Sequence, residues 1–269
     1  MNSKESGTSL IVVGPLIKIQ APAGSGSLYY NYKHWHIIVL MAIAAADYSF
    51  ILVDIGDNGR HSDGGVFQNS KLGIRLLSNS LQLPEPCCIS NRMSTFPFVF
   101  VGDEAFPLMK NLMCPYPGKF LPQHEQIFNY RLSRARRVVE NAFGIAASRF
   151  RILRREIIAK PMKVERITMA VAALHNFLIK SEAKQPACSR QYLPHGFVDS
   201  EDRNGKILLG SWRASVENAQ GLKSIGRQGS NFYKKDASEV RDQFKEYFMK
   251  PEGEVPWQQN HISFNGNLE

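Results

Sequence analysis

Residues 35–46 constrain this chain more than any other segment. They read Trp-His-Ile-Ile-Val-Leu-Met-Ala-Ile-Ala-Ala-Ala, the most apolar run in a sequence of 269 residues. A membrane span requires about 20 consecutive apolar residues. This run is shorter and carries His36, so it predicts a buried strand over 36–42 with flanks. Ile17-Lys18-Ile19-Gln20 alternates before it like a half-buried strand. Residues 48–55 supply a third strand, with Ala45-Ala46-Asp47-Tyr48 as the turn. The three are expected to form an antiparallel meander.

The later sequence changes rhythm. Leu10 to Val13 is a short β-branched run, and Pro15 breaks the chain just after it. Residues 56–65 form a Gly- and Asp-rich loop, and 66–78 read as a helix with Phe67, Leu72, Leu76 and Leu77 on its apolar side. Residues 98–101 are a short, continuous apolar strand of the kind buried on both faces. Helices are predicted over 123–151 and 164–180, and a short amphipathic one over 236–249. Strands first, then a strand alternating with helices, point to an α/β class chain with one mixed sheet: the meander, a further parallel strand and flanking helices. Residues 181–235 are polar and weakly periodic, which predicts a partly disordered linker.

The formal net charge of +9 favours a polyanionic partner, nucleic acid first and an anionic membrane surface second. The four cysteines, Cys87, Cys88, Cys114 and Cys188, contain no CxxC pair, so zinc-site spacing is absent. Reduced thiols in an intracellular compartment fit this pattern.

Three acids could carry chemistry. Asp103 follows Gly102 at the C-terminal end of the apolar strand, where α/β sheets place ligands. The alternative is a turn aspartate bonded to its own backbone. Glu140 lies on a helix where Leu132, Ala135, Val139, Ala142, Phe143 and Ala146 share one stripe at 100° per residue. Arg136 sits four residues before it, so the alternative is an exposed i,i+4 ion pair. Asp63 precedes the helix over 66–78 and is either a cation ligand or an N-cap. Carboxylates with substrate phosphates are the usual ligands of hard divalent cations. Arg60, Arg134, Arg136, Arg137, Arg151, Arg154 and Arg155 are candidates to hold a nucleic-acid backbone, a contact with little sequence information.

Several long motifs, in order, carry a resemblance. They are Gln20-Ala21-Pro22 with 26–33, the loop from Gly59-Arg60 to Phe67, Val101-Gly102-Asp103-Glu104-Ala105-Phe106-Pro107-Leu108, residues 128–144 and Leu174-His175-Asn176-Phe177. Together they resemble the DDE-superfamily endonuclease domain of Harbinger-type transposases and their domesticated nuclease relatives. The resemblance runs from about residue 17 to 177. It implies an RNase H-like fold over 17–180, a divalent cation (Mg²⁺ or Mn²⁺), DNA as substrate, a nuclear or cytoplasmic location and a Myb-like DNA-binding partner protein.

It further implies that Asp103 is the second catalytic aspartate, Glu140 the catalytic glutamate and Asp63 an additional metal carboxylate. The family's first aspartate opens an Asp-Gly-x-His motif. Val13-Gly14-Pro15-Leu16 stands there, with Val13 in place of the acid. Residues 1–16 are therefore expected to be an atypical leader on an N-terminally truncated member, and residues 236–269 a short helix and tail. The expected function is a metal-dependent phosphodiester endonuclease impaired by loss of one acid. The alternative is an inactive DNA- or protein-binding fragment.

Overall fold

A computed structural model describes residues 10–13, 15–31, 34–58, 67–89, 95–223, 234–259 and 262. The chain centres on strand β3 (Ile37–Ala44), every residue of which is buried. Its side chains alternate between two cores. Ile37, Val39, Met41 and Ile43 pack with Leu72 and Leu76 of helix α1 (Lys71–Leu77). Ala42 and Ala44 face the long helix α2 (Gln123–Arg149), while Ile38 and Leu40 meet Val164 of α3 (Pro161–Glu182). A strand covered on both faces needs apolar residues at every position, which is why its sequence shows a run and no alternation.

The meander forms as its strand order predicts. β2 (Leu16–Lys18) and β4 (Phe50–Asn58) both pair antiparallel with β3. β1 (Leu10–Val13) also pairs antiparallel with β3, placing Val13 opposite Ala42. β5 (Cys87–Cys88) and β6 (Thr95–Phe96) form a separate antiparallel pair, while β1 on its other side runs parallel to β7 (Phe100–Val101), which runs parallel to β8 (Leu112–Met113). The fold class is thus mixed α/β. Within the stretch 1–16 assigned by sequence to a leader, residues 10–13 supply β1 and Leu16 opens β2 in the main sheet.

A second difference lies downstream. Where sequence predicts a partly disordered linker over 181–235, residues 181–223 carry strands β9 (Ser200–Glu201) and β10 (Ile207–Leu208), helix α4 (Trp212–Val216) and strand β11 (Leu222–Lys223). β11 joins the main sheet against β2. Tyr192, Phe197 and Trp212 are buried with Ile145 of α2. They reach that one cluster from irregularly spaced positions, so their spacing has no period for a sequence reading to find. The remainder of that stretch, 224–233, lies outside the described residues. Helix α5 (Lys235–Phe248) buries Ala237, Val240 and Phe244 in the α2 core, close to the predicted bounds. No helix among the described residues is long and apolar enough to cross a membrane.

Candidate active site

The parallel pairing of β1 with β7 builds the site. Leu10 is level with Phe100, and Ile11 with Val101. The pairing ends there: Val13 closes β1 two residues on, and Asp103 follows Gly102 just beyond β7. Both positions thus lie at the carboxyl ends of adjacent parallel strands, where α/β sheets gather ligands.

Asp103 is positioned by its neighbours. The Gly102 N–H donates to the Met113 carbonyl at 2.9 Å, ending the ladder. Asp103 Oδ1 then accepts the Ala105 N–H at 3.0 Å, and its carbonyl accepts Phe106 N–H at 3.3 Å. This is a self-bonded aspartate turn, and it occupies one carboxylate oxygen. Burial pushes the Asp103 carboxyl above its ordinary value, opposed by the Ala105 N–H and the Arg136 charge and reinforced by Glu104. Beneath it, the buried Cys114 thiol is pushed far up by burial and then by the Asp103 charge.

Glu140 stays open, with 45% of its side chain exposed, and pairs with Arg136 at 3.6 Å, one turn earlier on α2. Arg136 thus acts electrostatically on both retained acids. Its Nε is buried without a hydrogen-bond partner among the described residues.

The donor set falls short of a cation site. Among the described residues no three His, Cys, Asp or Glu side chains come together to hold a metal. Asp103 and Glu140 offer two carboxylates, and position 13, at the end of the neighbouring strand, is a valine. Asp63 and Arg60, both singled out by sequence, lie outside the described residues.

The arginines divide. Arg134 Nε and Arg137 Nη1 donate to the two oxygens of Glu201 at 2.7 and 2.9 Å. Arg154 donates to the carbonyls of Ala147 and Ser148, tying a 3₁₀ turn (Arg151–Arg154) back onto α2. Arg151 and Arg155 are exposed.

Three motif asparagines have a role that sequence reasoning missed. Asn129 accepts the Tyr116 N–H at 2.7 Å and donates to its carbonyl at 2.9 Å. Asn141 does the same to Asp199, at 2.9 and 3.0 Å, and Asn176 to Phe50, at 2.8 and 2.7 Å. Each side-chain amide stands in for a strand partner and satisfies a remote backbone residue. Asn141 also accepts the Trp212 indole N–H at 2.9 Å. Gly144, one turn on, leaves the room the indole needs, because a Cβ there would overlap the Trp212 ring. His175, next to Asn176, is buried between the Tyr192 hydroxyl at 2.7 Å and the Tyr48 carbonyl at 2.9 Å. The available signal was an amide or imidazole inside an apolar helical register.

Comparison with known proteins agrees with this layout. A family model described as DDE superfamily endonuclease matches residues 12–176. Protein ALP1-like from Arabidopsis thaliana is 32% identical over 154 residues, covering 54% of this chain and 36% of that protein. The chain therefore spans about a third of the length of this curated relative. No solved structure matches.

Proposed function

The chain belongs to the DDE superfamily endonucleases, and on that premise we propose that it is a transposase-derived DNA endonuclease domain of RNase H-like build, impaired in phosphodiester hydrolysis. One observation supports the reading: Val13 closes β1, which runs parallel beside the strand that leads into Asp103. A valine has no lone pair to offer a cation, and it stands where the family resemblance places an acid.

Members of this superfamily generally use divalent metals. Asp103 and Glu140 are the carboxylates we assign to that role, with Asp63 as an auxiliary acid and Mg²⁺ or Mn²⁺ as the ion. The described donors do not complete such a site, so no metal-dependent step is assigned to the chain with valine at 13. What its own residues supply is charge. Arg60, Arg136, Arg151, Arg154 and Arg155 steady the phosphate backbone, a contact that weakens steeply with salt. A Myb-like partner would add sequence recognition, and the nucleus is the matching location.

A second reading, a non-catalytic DNA- or protein-binding domain, is favoured by the way both retained acids are engaged within the protein. Asp103 holds the Ala105 N–H and Glu140 holds Arg136.

Plasmid cleavage in Mn²⁺ separates the two. The chain as it stands is expected to leave supercoiled plasmid intact. Val13→Asp is expected to nick it, and adding Asp103→Ala to that variant to abolish nicking. Nicking by the unaltered chain that disappears in Asp103→Ala would show that impairment is wrong. A Val13→Asp protein that neither binds Mn²⁺ nor cleaves would favour the non-catalytic reading.

A further inference from the structure

A cleft of about 310 Å³ opens between α2 and the β9 segment, on the flank of α2 that carries Arg134, Arg137 and Asn141. Its working walls are Tyr48, Arg134, Arg137, Glu201, Asp202 and Trp257. Arg137 is three residues before Glu140, and Asn141, on the cleft wall, directly follows it. Glu140 also acts electrostatically on Arg213, which is paired with Asp199 on the same wall. The cleft therefore lies immediately around the helix from the retained catalytic-type glutamate.

Its chemistry is specific. The Trp257 ring is held by its indole N–H, which donates to the Tyr130 hydroxyl at 2.9 Å. The Arg134 guanidinium lies 5.4 Å from the Trp257 ring centroid. Glu201, with 8% of its side chain exposed, fixes one donor each of Arg134 and Arg137 and so orients both forks. Asp202 uses one oxygen to accept the N–H groups of Asn204 and Lys206, and its second oxygen accepts nothing among the described residues. The Tyr48 hydroxyl makes no hydrogen bond among the described residues. Tyr48 holds φ at 70°, a left-handed conformation unusual for a bulky residue, and such strain persists where the surroundings or a function require it.

Two arginines face three carboxylates on the walls, and Arg213 pairs with one of these, Asp199, so the charges around the cleft balance. A bare phosphate would meet the acids, and an apolar ligand would strand the oriented donors. A neutral planar heterocycle with donors and acceptors along its edge suits both the fixed forks and the indole face. Unstacked nucleobases are recognised in this way, by stacking on aromatic rings and by hydrogen bonds along their edges. The volume is at the lower end for ligand pockets, which suits one base.

We infer that this cleft takes a single nucleobase, unstacked from a DNA strand lying along α2 beside Glu140. The inference rests on the proposal that DNA is the ligand. Arg134 and Arg137 then read a base edge and do not grip phosphates.

The test uses a short single-stranded oligonucleotide carrying one 2-aminopurine, beside the same strand with an abasic site at that position. On binding to the full chain, 2-aminopurine emission is expected to be quenched, and the base-bearing strand to bind about tenfold tighter, the scale of one stacked base. Trp257→Leu should abolish that difference and leave abasic-strand affinity unchanged. Tyr48→Phe keeps the ring and the fold, and should weaken only the base-bearing strand, by a few fold. Equal binding of both strands, unmoved by either variant, would overturn the base pocket while leaving DNA binding intact. Binding of neither strand would overturn both this inference and the DNA reading beneath it.

Discussion

The two flanks of α2 come from one stretch of sequence and behave differently. On the flank beside Asp103, Arg136 and Glu140 are joined by one ion pair of 3.6 Å, and the glutamate is largely exposed. On the other flank, Asn141 makes three buried bonds to Asp199 and Trp212, and Gly144 admits the indole. Arg134 and Arg137 close over Glu201 beside them. A helix dense in Arg, Asn and Glu therefore has two uses. One flank stays open toward chemistry, and the other docks the downstream segment of the chain. Exposure and bonding separate them, because residue type is the same on both.

That contrast can be broken most directly at Asn141. Asn141→Ala leaves the Asp199 N–H, its carbonyl and the Trp212 indole N–H unpaired in the interior. Each buried orphan costs roughly 1–3 kcal/mol, so a total loss of about 3 kcal/mol or more is expected in urea denaturation. Protease cleavage within residues 187–223 should accelerate alongside. A change under about 1 kcal/mol would mean the docked flank is not locked.

Gly144→Ala is the milder form of the same break. Its added methyl must push Trp212 aside, an overpacking expected to cost about 1–3 kcal/mol. Restored stability in a Gly144→Ala, Trp212→Leu double variant would tie the loss to that contact.

His175 tests the docked side by pH. Its Nε2 faces a carbonyl, so that nitrogen carries the proton and Nδ1 accepts from Tyr192. Burial holds its pKa below the ordinary value, against the Tyr48 carbonyl and Asp47. The unfolded chain then binds the proton more readily. Stability from the neutral ring is full above an unfolded pKa of about 6.5 and is lost as pH falls toward the folded value. Tm should drop between about pH 7.5 and about pH 5.5 (about one unit either side of that midpoint), and His175→Gln should flatten that slope.

Asp103 should show the opposite sign. Its carboxyl is raised by burial, so its contribution is full below an unfolded pKa of about 3.9 and is lost as pH rises through the folded value. Asp103→Asn keeps an oxygen for the Ala105 N–H and removes the buried charge. Tm at neutral pH should rise by a few degrees, and the gain should vanish near pH 4 (about the unfolded carboxyl value). The smallest effect belongs to Glu140→Gln. An exposed i,i+4 pair is worth about 0.2–0.5 kcal/mol, so stability should scarcely move. The same substitution should nonetheless silence any nicking by Val13→Asp, and unchanged nicking would remove Glu140 from the site.

Much of the frame was legible in the sequence. The apolar run read as a buried strand over 36–42, close to the observed Ile37–Ala44, and the meander around it came from the turn at 45–48. Both readings of Asp103 were visible, and the observed turn is one of them. The segment 187–223 was not legible. Its anchors, Tyr192, Phe197 and Trp212, share no period, and Asn141, which receives Trp212 beside Gly144, lies 71 residues upstream of it. A partner that distant leaves no local mark.

By itself the sequence determined the α/β class, the central strand and the family, and it showed that position 13 is a valine where the resemblance places an acid. These are properties of local pattern and residue identity, which survive without coordinates. The tertiary structure decided that residues 10–13 lie in the sheet, that β1 runs parallel beside the strand leading into Asp103, and that Arg134 and Arg137 turn to Glu201. Each of those depends on which distant backbone lies alongside. Strand register and buried pairing set that relation only once the chain has closed on itself.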